Sequence, residues 1–211
     1  PNYDVLATQL AEAVGTANLV TDPAQLAAYA VDGVTPRFVA GPTDVDGVQA
    51  VMRACAAQGA SVIPRGHGSK MRLGNPPTSA DVILSLAGLN RVVEYDVDNL
   101  TVIVQAGVVL EALQGQVRAY KQLLPLDPPF PSAATIGGVI AANASGPRRL
   151  AYGAARDLVL GMKVVIPNGD LISPGGKTVK NVAGYALDKL FIGSLGTLGV
   201  VVEAAFRLLP L

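Results

Sequence analysis

The chain has 211 residues, 50% of them hydrophobic and 15% charged, enough for one core or for two small lobes sharing one. Sixteen basic and sixteen acidic side chains balance to zero net charge with aromatics at 5%, which excludes the basic, ring-studded surface of a nucleic-acid binder. A lone cysteine, Cys55, excludes an internal disulfide framework and fits a reducing compartment, and with a single histidine, His67, it leaves a zinc site short of ligands, so no metal site is expected.

The opening Pro1-Asn2-Tyr3-Asp4 lacks the basic-then-apolar form of a signal peptide and carries no initiator Met, as in a trimmed or partial chain. No apolar run is long enough to span a bilayer. Leu6, Leu10, Ala13 and Val14 recur at helical spacing up to Gly15, and Pro23 opens a second short helix through Leu26, Ala27 and Ala30. Residues 37–40 read as a strand. Thr43 and Asp46 have the spacing of a capping box before a helix whose apolar face carries Val45, Val48, Met52 and Cys55 and which Gly59 ends. Residues 61–64 form the next strand, and residues 81–86 another, giving a β-α-β lobe.

In the second half, residues 91–96 and 101–106 read as a hairpin, and Leu110, Leu113, Val117 and Tyr120 mark a helix. Residues 158–167 and 170–173 flank Asn168-Gly169, a strong hairpin signal. A short helix at 187–191 and a last strand at 200–208 complete an α+β chain of two lobes. The N-terminal β-α-β lobe spans 1–88, and the larger mixed or antiparallel sheet flanked by helices spans 89–211.

The most informative stretch is Pro64-Arg65-Gly66-His67-Gly68-Ser69-Lys70, which follows directly on a strand. Glycine lets the backbone approach a ligand closely and take positive φ. Successive N–H groups in such a loop converge into an anion-binding concavity, which points to a phosphate-bearing ligand. Three more glycine-rich pieces follow: residues 131–146, Tyr152-Gly153 before Arg156-Asp157, and residues 193–199. Each alone marks a turn; together they leave a surface poor in side chain that has to pack on a backbone or a flat ligand. A G-x-G-x-x-G opening a helix with an acidic residue about 20 positions on is absent at the first loop, which argues against a Rossmann NAD site.

These pieces, with Ala134-Thr135-Ile136-Gly137-Gly138, Asn143-Ala144-Ser145-Gly146, Lys180-Asn181-Val182-Ala183-Gly184-Tyr185 and Gly196-Thr197-Leu198-Gly199, resemble in order and spacing the FAD-binding domain of the vanillyl-alcohol oxidase/p-cresol methylhydroxylase (PCMH-type) flavoprotein family, and within it the glycolate-oxidase type of FAD-binding subunit. The resemblance implies a cofactor, non-covalent FAD. Pro64, Arg65, Gly66, His67, Gly68, Ser69 and Lys70 would wrap the diphosphate. Pro131, Ser132, Ala133, Thr135, Ile136, Gly137 and Gly138 would line the ribityl chain and one flavin face, continued by Asn143, Ala144 and Ser145. Gly196, Thr197, Gly199, Val200 and Val201 would sit at the adenine-ribose end.

The sequence departs from the family at His67, where many relatives have glycine, at Leu195, often acidic, and at Ala186, often Asp. Arg156-Asp157 is read as a local ion pair, Arg148 and Arg149 as solvated surface, and Cys55 as a small core residue. Lys177 and Lys180 are candidates for steering an anionic substrate. The resemblance implies a component of a flavin oxidoreductase acting on a 2-hydroxy acid of glycolate or lactate type, partnered by a second flavin subunit and an iron–sulfur subunit. On this reading a cap-like substrate domain is not expected within these 211 residues, and the expected setting is cytoplasmic, with any membrane association made through partners. The alternatives are a FAD-loaded relay or assembly subunit without a substrate site, and a UDP-N-acetylenolpyruvoylglucosamine-reductase type of enzyme. No catalytic base is identified.

Overall fold

The computed structural model describes residues 1–176 and 186–211. Helix α1 (Tyr3–Val14) starts where the Asn2 side chain accepts the Val5 N–H at 3.2 Å, buries Leu6 and Leu10, and stops at Gly15, whose φ is 78°. A two-residue strand β1 (Leu19–Val20) follows, then the single turn α2 (Pro23–Leu26), capped by Asp22 and continued as a tighter turn through Ala27–Tyr29. Strand β2 (Phe38–Ala40) leads to α3 (Val45–Gln58). The cap of α3 is Asp44 and not Thr43: its carboxylate accepts the Gly47 N–H at 2.8 Å. The shorter, charged Asx side chain at the true boundary outcompetes the Thr–Asp spacing predicted from sequence. Gly59, at φ 63°, ends the helix as expected.

Strands β3 (Val62–Arg65) and β4 (Val82–Ser85) complete a sheet of order β1-β2-β4-β3, in which β2, β4 and β3 run parallel and β1 is antiparallel to β2. Asp81, just ahead of β4, ties three segments together. Its carboxylate accepts from Ser61 N at 2.8 Å, Ser61 Oγ at 2.9 Å and Tyr3 Oη at 2.9 Å, with Arg37 Nε 3.8 Å away. Burial alone would raise its pKa; the Ser61 and Tyr3 hydrogen bonds and Arg37 outweigh it and hold the carboxyl below its usual range.

The second half opens with the expected hairpin, β5 (Val92–Asp96) and β6 (Thr101–Gln105). Helix α4 (Leu110–Arg118), the short β7 (Gln122–Leu123), helix α5 (Ile136–Ala141) and the single turns α6 (Arg149–Tyr152) and α7 (Ala155–Leu158) follow. Strands β8 (Val159–Val165) and β9 (Leu171–Ile172) form the Asn-Gly hairpin, and α8 (Asp188–Phe191) precedes β10 (Val200–Arg207) and β11 (Leu209–Pro210). The larger sheet has the order β5-β6-β10-β8-β9, antiparallel throughout, so the last long strand is its centre. β11 pairs with β7.

One core lies under the larger sheet, around Phe206, Leu113, Ile136, Ile140 and Leu158. A second gathers α1, α3 and the parallel strands around Leu6, Leu10, Val48 and Leu84, and it also takes in Val165, Val200 and Val202 from the larger sheet and Ala106 just past β6. Cys55 sits in this core, and burial, with Asp81 nearby, pushes its thiol pKa up to about 12. At the crossing from one sheet to the other, the Gly107 N–H donates to the Leu89 carbonyl at 2.8 Å, and a Cβ at Gly107 would collide with the Leu86 carbonyl oxygen.

Candidate functional site

The glycine loop begins where β3 ends, and β3 is an edge strand, so the loop faces the second half of the chain instead of another strand. Two distant segments close on it. Gly66 packs so tightly on Thr135 that a Cβ there would overlap the threonine Oγ1. Gly196, at φ 77°, packs on Pro64: an added Cβ would lie 3.2 Å from the proline Cγ. The segment at 193–197 is in turn fastened to α5, with Gly193 N donating to Ile140 O at 3.0 Å and Leu195 N to Ala141 O at 2.8 Å.

Between these segments runs a cleft of about 540 Å³, lined by Pro64, Gly66, His67, Gly68, Ser69 and Lys70 of the loop, by Thr135 and Gly138 at the start of α5, and by Gly196 and Thr197. That size lies within the roughly 300–1,000 Å³ of small-molecule sites. The chemistry of its wall is one-sided. The backbone N–H groups of residues 66–70 have no acceptor among the described residues, and Gly68 takes φ 81° in their midst. His67 and Lys70 bring donor side chains, and no Asp or Glu lines the cleft among the described residues. Such a run of donors with a left-handed glycine is an anion cradle. Apolar residues, including Val31, Met71, Leu73, Ala142 and Leu195, form much of the remaining wall; Val31, Met71 and Leu73 stand in none of the glycine-rich pieces, so only three-dimensional proximity reveals them.

Other residues singled out in the sequence lie off this cleft. The Arg65 guanidinium turns away from it, its Cζ 4.6 Å from the centre of the Tyr29 ring. Ile136 and Gly137 are buried, their N–H groups donating to the carbonyls of Val108 at 2.9 Å and Ala106 at 2.8 Å. They pin α5 to the end of β6 and leave Gly138 to face the cleft. Pro131 lines a separate groove with Asp127 and Arg148, and Ser132 and Ala133 line neither. Exposed Asn143, buried Ala144 and half-buried Ser145 follow α5 outside the lining. Gly199, Val200 and Val201 are buried, Gly199 with no room for a Cβ, which would come 2.7 Å from Val164 Cγ1. Asp157 does not form the ion pair with Arg156 expected from sequence; its carboxylate accepts the Ala154 N–H at 2.9 Å, because a backbone donor three residues back lies within easier reach. Lys177, Lys180 and the rest of 177–185 lie outside the described residues.

A family model described as an FAD binding domain matches residues 36–174. The chain belongs to this family. The FAD-binding domain is 38% identical over 208 residues to the glycolate oxidase subunit GlcD of Bacillus subtilis, a match that covers 96% of this chain and 44% of that protein. It is 39% identical over 204 residues to the D-2-hydroxyglutarate dehydrogenase of Xanthomonas citri pv. viticola, covering 94% of this chain and 43% of that one. It therefore spans less than half the length of these relatives. Its fold superposes on that of p-cresol methylhydroxylase with a TM-score of 0.83 at 22% identity, over 99% of this chain and 43% of the other, which supports the PCMH-type α+β architecture expected from the sequence. FAD is the cofactor of the family, and the cleft fits it on its own terms: a donor-rich, carboxylate-free glycine cradle suits a diphosphate, and small residues opposite suit a flat ring. Among the described residues no helix is long and apolar enough to cross a membrane.

Proposed function

We propose that this FAD-binding domain is the cofactor-holding component of an oxidoreductase acting on a 2-hydroxy acid of glycolate or lactate type. The observation that carries the cofactor part is the run of unengaged N–H groups at 66–70, facing Thr135 and Gly196 across a cleft free of carboxylates among the described residues. The substrate class rests on the names of the curated relatives. Bound FAD supplies the hydride-accepting chemistry. The chain's own residues bind and orient. The loop at 66–70 donates to the diphosphate, with Lys70 adding charge and His67 a further donor. Gly66, Gly138 and Gly196 admit the ligand closely, and the apolar wall of Val31, Met71 and Leu195 keeps water from the remainder of it. Ser132, Ala133 and residues 143–145 would be reached by the flavin end where it projects beyond the cleft. His67 donates to phosphate and forms no bond to flavin. We place the protein in the cytoplasm, with a second flavin subunit and an iron–sulfur subunit as partners.

The test is a visible spectrum of purified protein before and after acid precipitation. Flavin colour that passes into the supernatant supports non-covalent FAD. A colourless protein that takes up no added FAD overturns the proposal, and colour held in the pellet overturns the non-covalent assignment. Anaerobic addition of glycolate or D-lactate to the assembled enzyme should bleach the flavin. Stable FAD that no hydroxy acid reduces, in a protein complete with its partners, would instead identify a relay subunit.

A further inference from the structure

Arg65 is the basic side chain immediately before the cradle in sequence, yet it does not line the cleft. Its guanidinium lies 4.6 Å above the Tyr29 ring, and Nη1 reaches the Ala28 carbonyl at 3.5 Å. Gly68 also lies against it: a Cβ there would stand 2.7 Å from Arg65 Nε and 2.8 Å from Nη2, so the guanidinium occupies the space beside the glycine where a side chain would go. Arg65 makes no ion pair with any described carboxylate. Its main chain is fixed as well, since its carbonyl accepts the Leu86 N–H at 2.8 Å in the last rung of β3 and β4. A planar cation stacked on an aromatic face is worth about tenfold in an equilibrium at a partly desolvated site. Here that stack ends on the one residue of the cradle held at positive φ, 81°.

We propose that Arg65 is a positioning residue: stacked on Tyr29 and lying against Gly68, it holds the 66–70 loop in the conformation that presents its N–H groups, and it does not itself touch the diphosphate. The inference rests on the FAD reading above and deepens it, by making the segment at 28–29, which no glycine motif includes, part of the device that sets cofactor affinity. Lys in place of Arg65 keeps the charge but loses the plane. Phe in place of Tyr29 keeps the ring, and Leu removes it.

The experiment titrates FAD, ADP and riboflavin into the purified apoprotein of wild type, Arg65→Lys, Tyr29→Phe, Tyr29→Leu and the double variant Arg65→Lys/Tyr29→Leu. Circular dichroism serves as the check on folding. We expect Arg65→Lys and Tyr29→Leu each to weaken FAD and ADP about tenfold, the double variant to be no worse than either, and Tyr29→Phe to match wild type. Riboflavin, which lacks the diphosphate, should bind all five alike. Full affinity in Arg65→Lys together with full affinity in Tyr29→Leu overturns the proposal and makes Arg65 a simple charge contact. If the wild type binds no FAD, the functional reading fails, and trypsin cleavage after Lys70 in ligand-free protein still decides this one: faster cut in Tyr29→Leu supports it, and an unchanged rate overturns it.

Discussion

Gly66 is the residue on which the site depends most directly, because its missing side chain is the space that Thr135 fills. Gly66→Ala overpacks this junction at a cost of about 1–3 kcal/mol. FAD affinity, measured by flavin fluorescence quenching, should fall by at least tenfold, and Thr135→Ala placed in the same chain should restore part of it. The neighbouring Arg72–Asp32 pair, at 3.2 Å, is a useful contrast. The Arg72 side chain is 90% exposed, so Arg72→Ala should change the melting temperature little, in line with the ~0–1 kcal/mol of a surface pair. Cys55 makes a third residue-scale case. With its thiol pKa pushed up to about 12 by burial, it carries almost no thiolate at pH 8. Iodoacetamide should leave the native protein unlabelled while labelling it in guanidinium.

At the scale of elements, Asp81 staples α1 through Tyr3 and β3 through Ser61. Its folded pKa lies below the ordinary carboxylate value, so the stability it lends is complete above that ordinary value, about 4. That stability is lost as pH falls through the folded pKa. Asp81→Asn should therefore lower stability at neutral pH and flatten the acid limb of a stability-against-pH curve from urea melts; an unchanged acid limb would show that another group governs it. Much of the element order was legible in the residues. Leu6 and Leu10 announce α1, Val48 and Cys55 announce α3, and Asn168-Gly169 announces the β8–β9 hairpin, because periodicity and turn chemistry are local. Helix α5 was not: Ile136-Gly137-Gly138 reads as a loop, since its helical state is imposed from outside, by the carbonyls of Val108 and Ala106. Within the cleft, the glycine loops announced themselves, whereas Val31 and Met71 did not, because an apolar wall residue looks like any core residue until the chain folds. Arg65 is the opposite case: its charge and place in the motif suggest a phosphate ligand, and its guanidinium lies over the Tyr29 ring, a position no sequence pattern announces.

At the scale of the whole molecule, the two sheets are not independent. Val165, Val200 and Val202 belong to the larger sheet and Ala106 directly follows its strand β6, yet all four are buried with Leu6, Leu10 and Val48, and Gly107 is pressed against the carbonyls of Leu86 and Leu89. Thermal unfolding should accordingly appear as one transition by far-ultraviolet circular dichroism and by hydrogen exchange of both sheets. Gly107→Ala, which has no room at that crossing, should lower the midpoint for both sheets together.

Strand β10, residues Val200–Arg207, lies between β6 and β8. On a ribosome the two outer hairpins emerge first, with their facing edges unsatisfied, and the strand that joins them is among the last parts of this stretch to be translated. Nascent chains stalled before residue 200 should therefore be protease-sensitive and depend on chaperones, and those long enough to free residue 208 from the exit tunnel should become resistant abruptly.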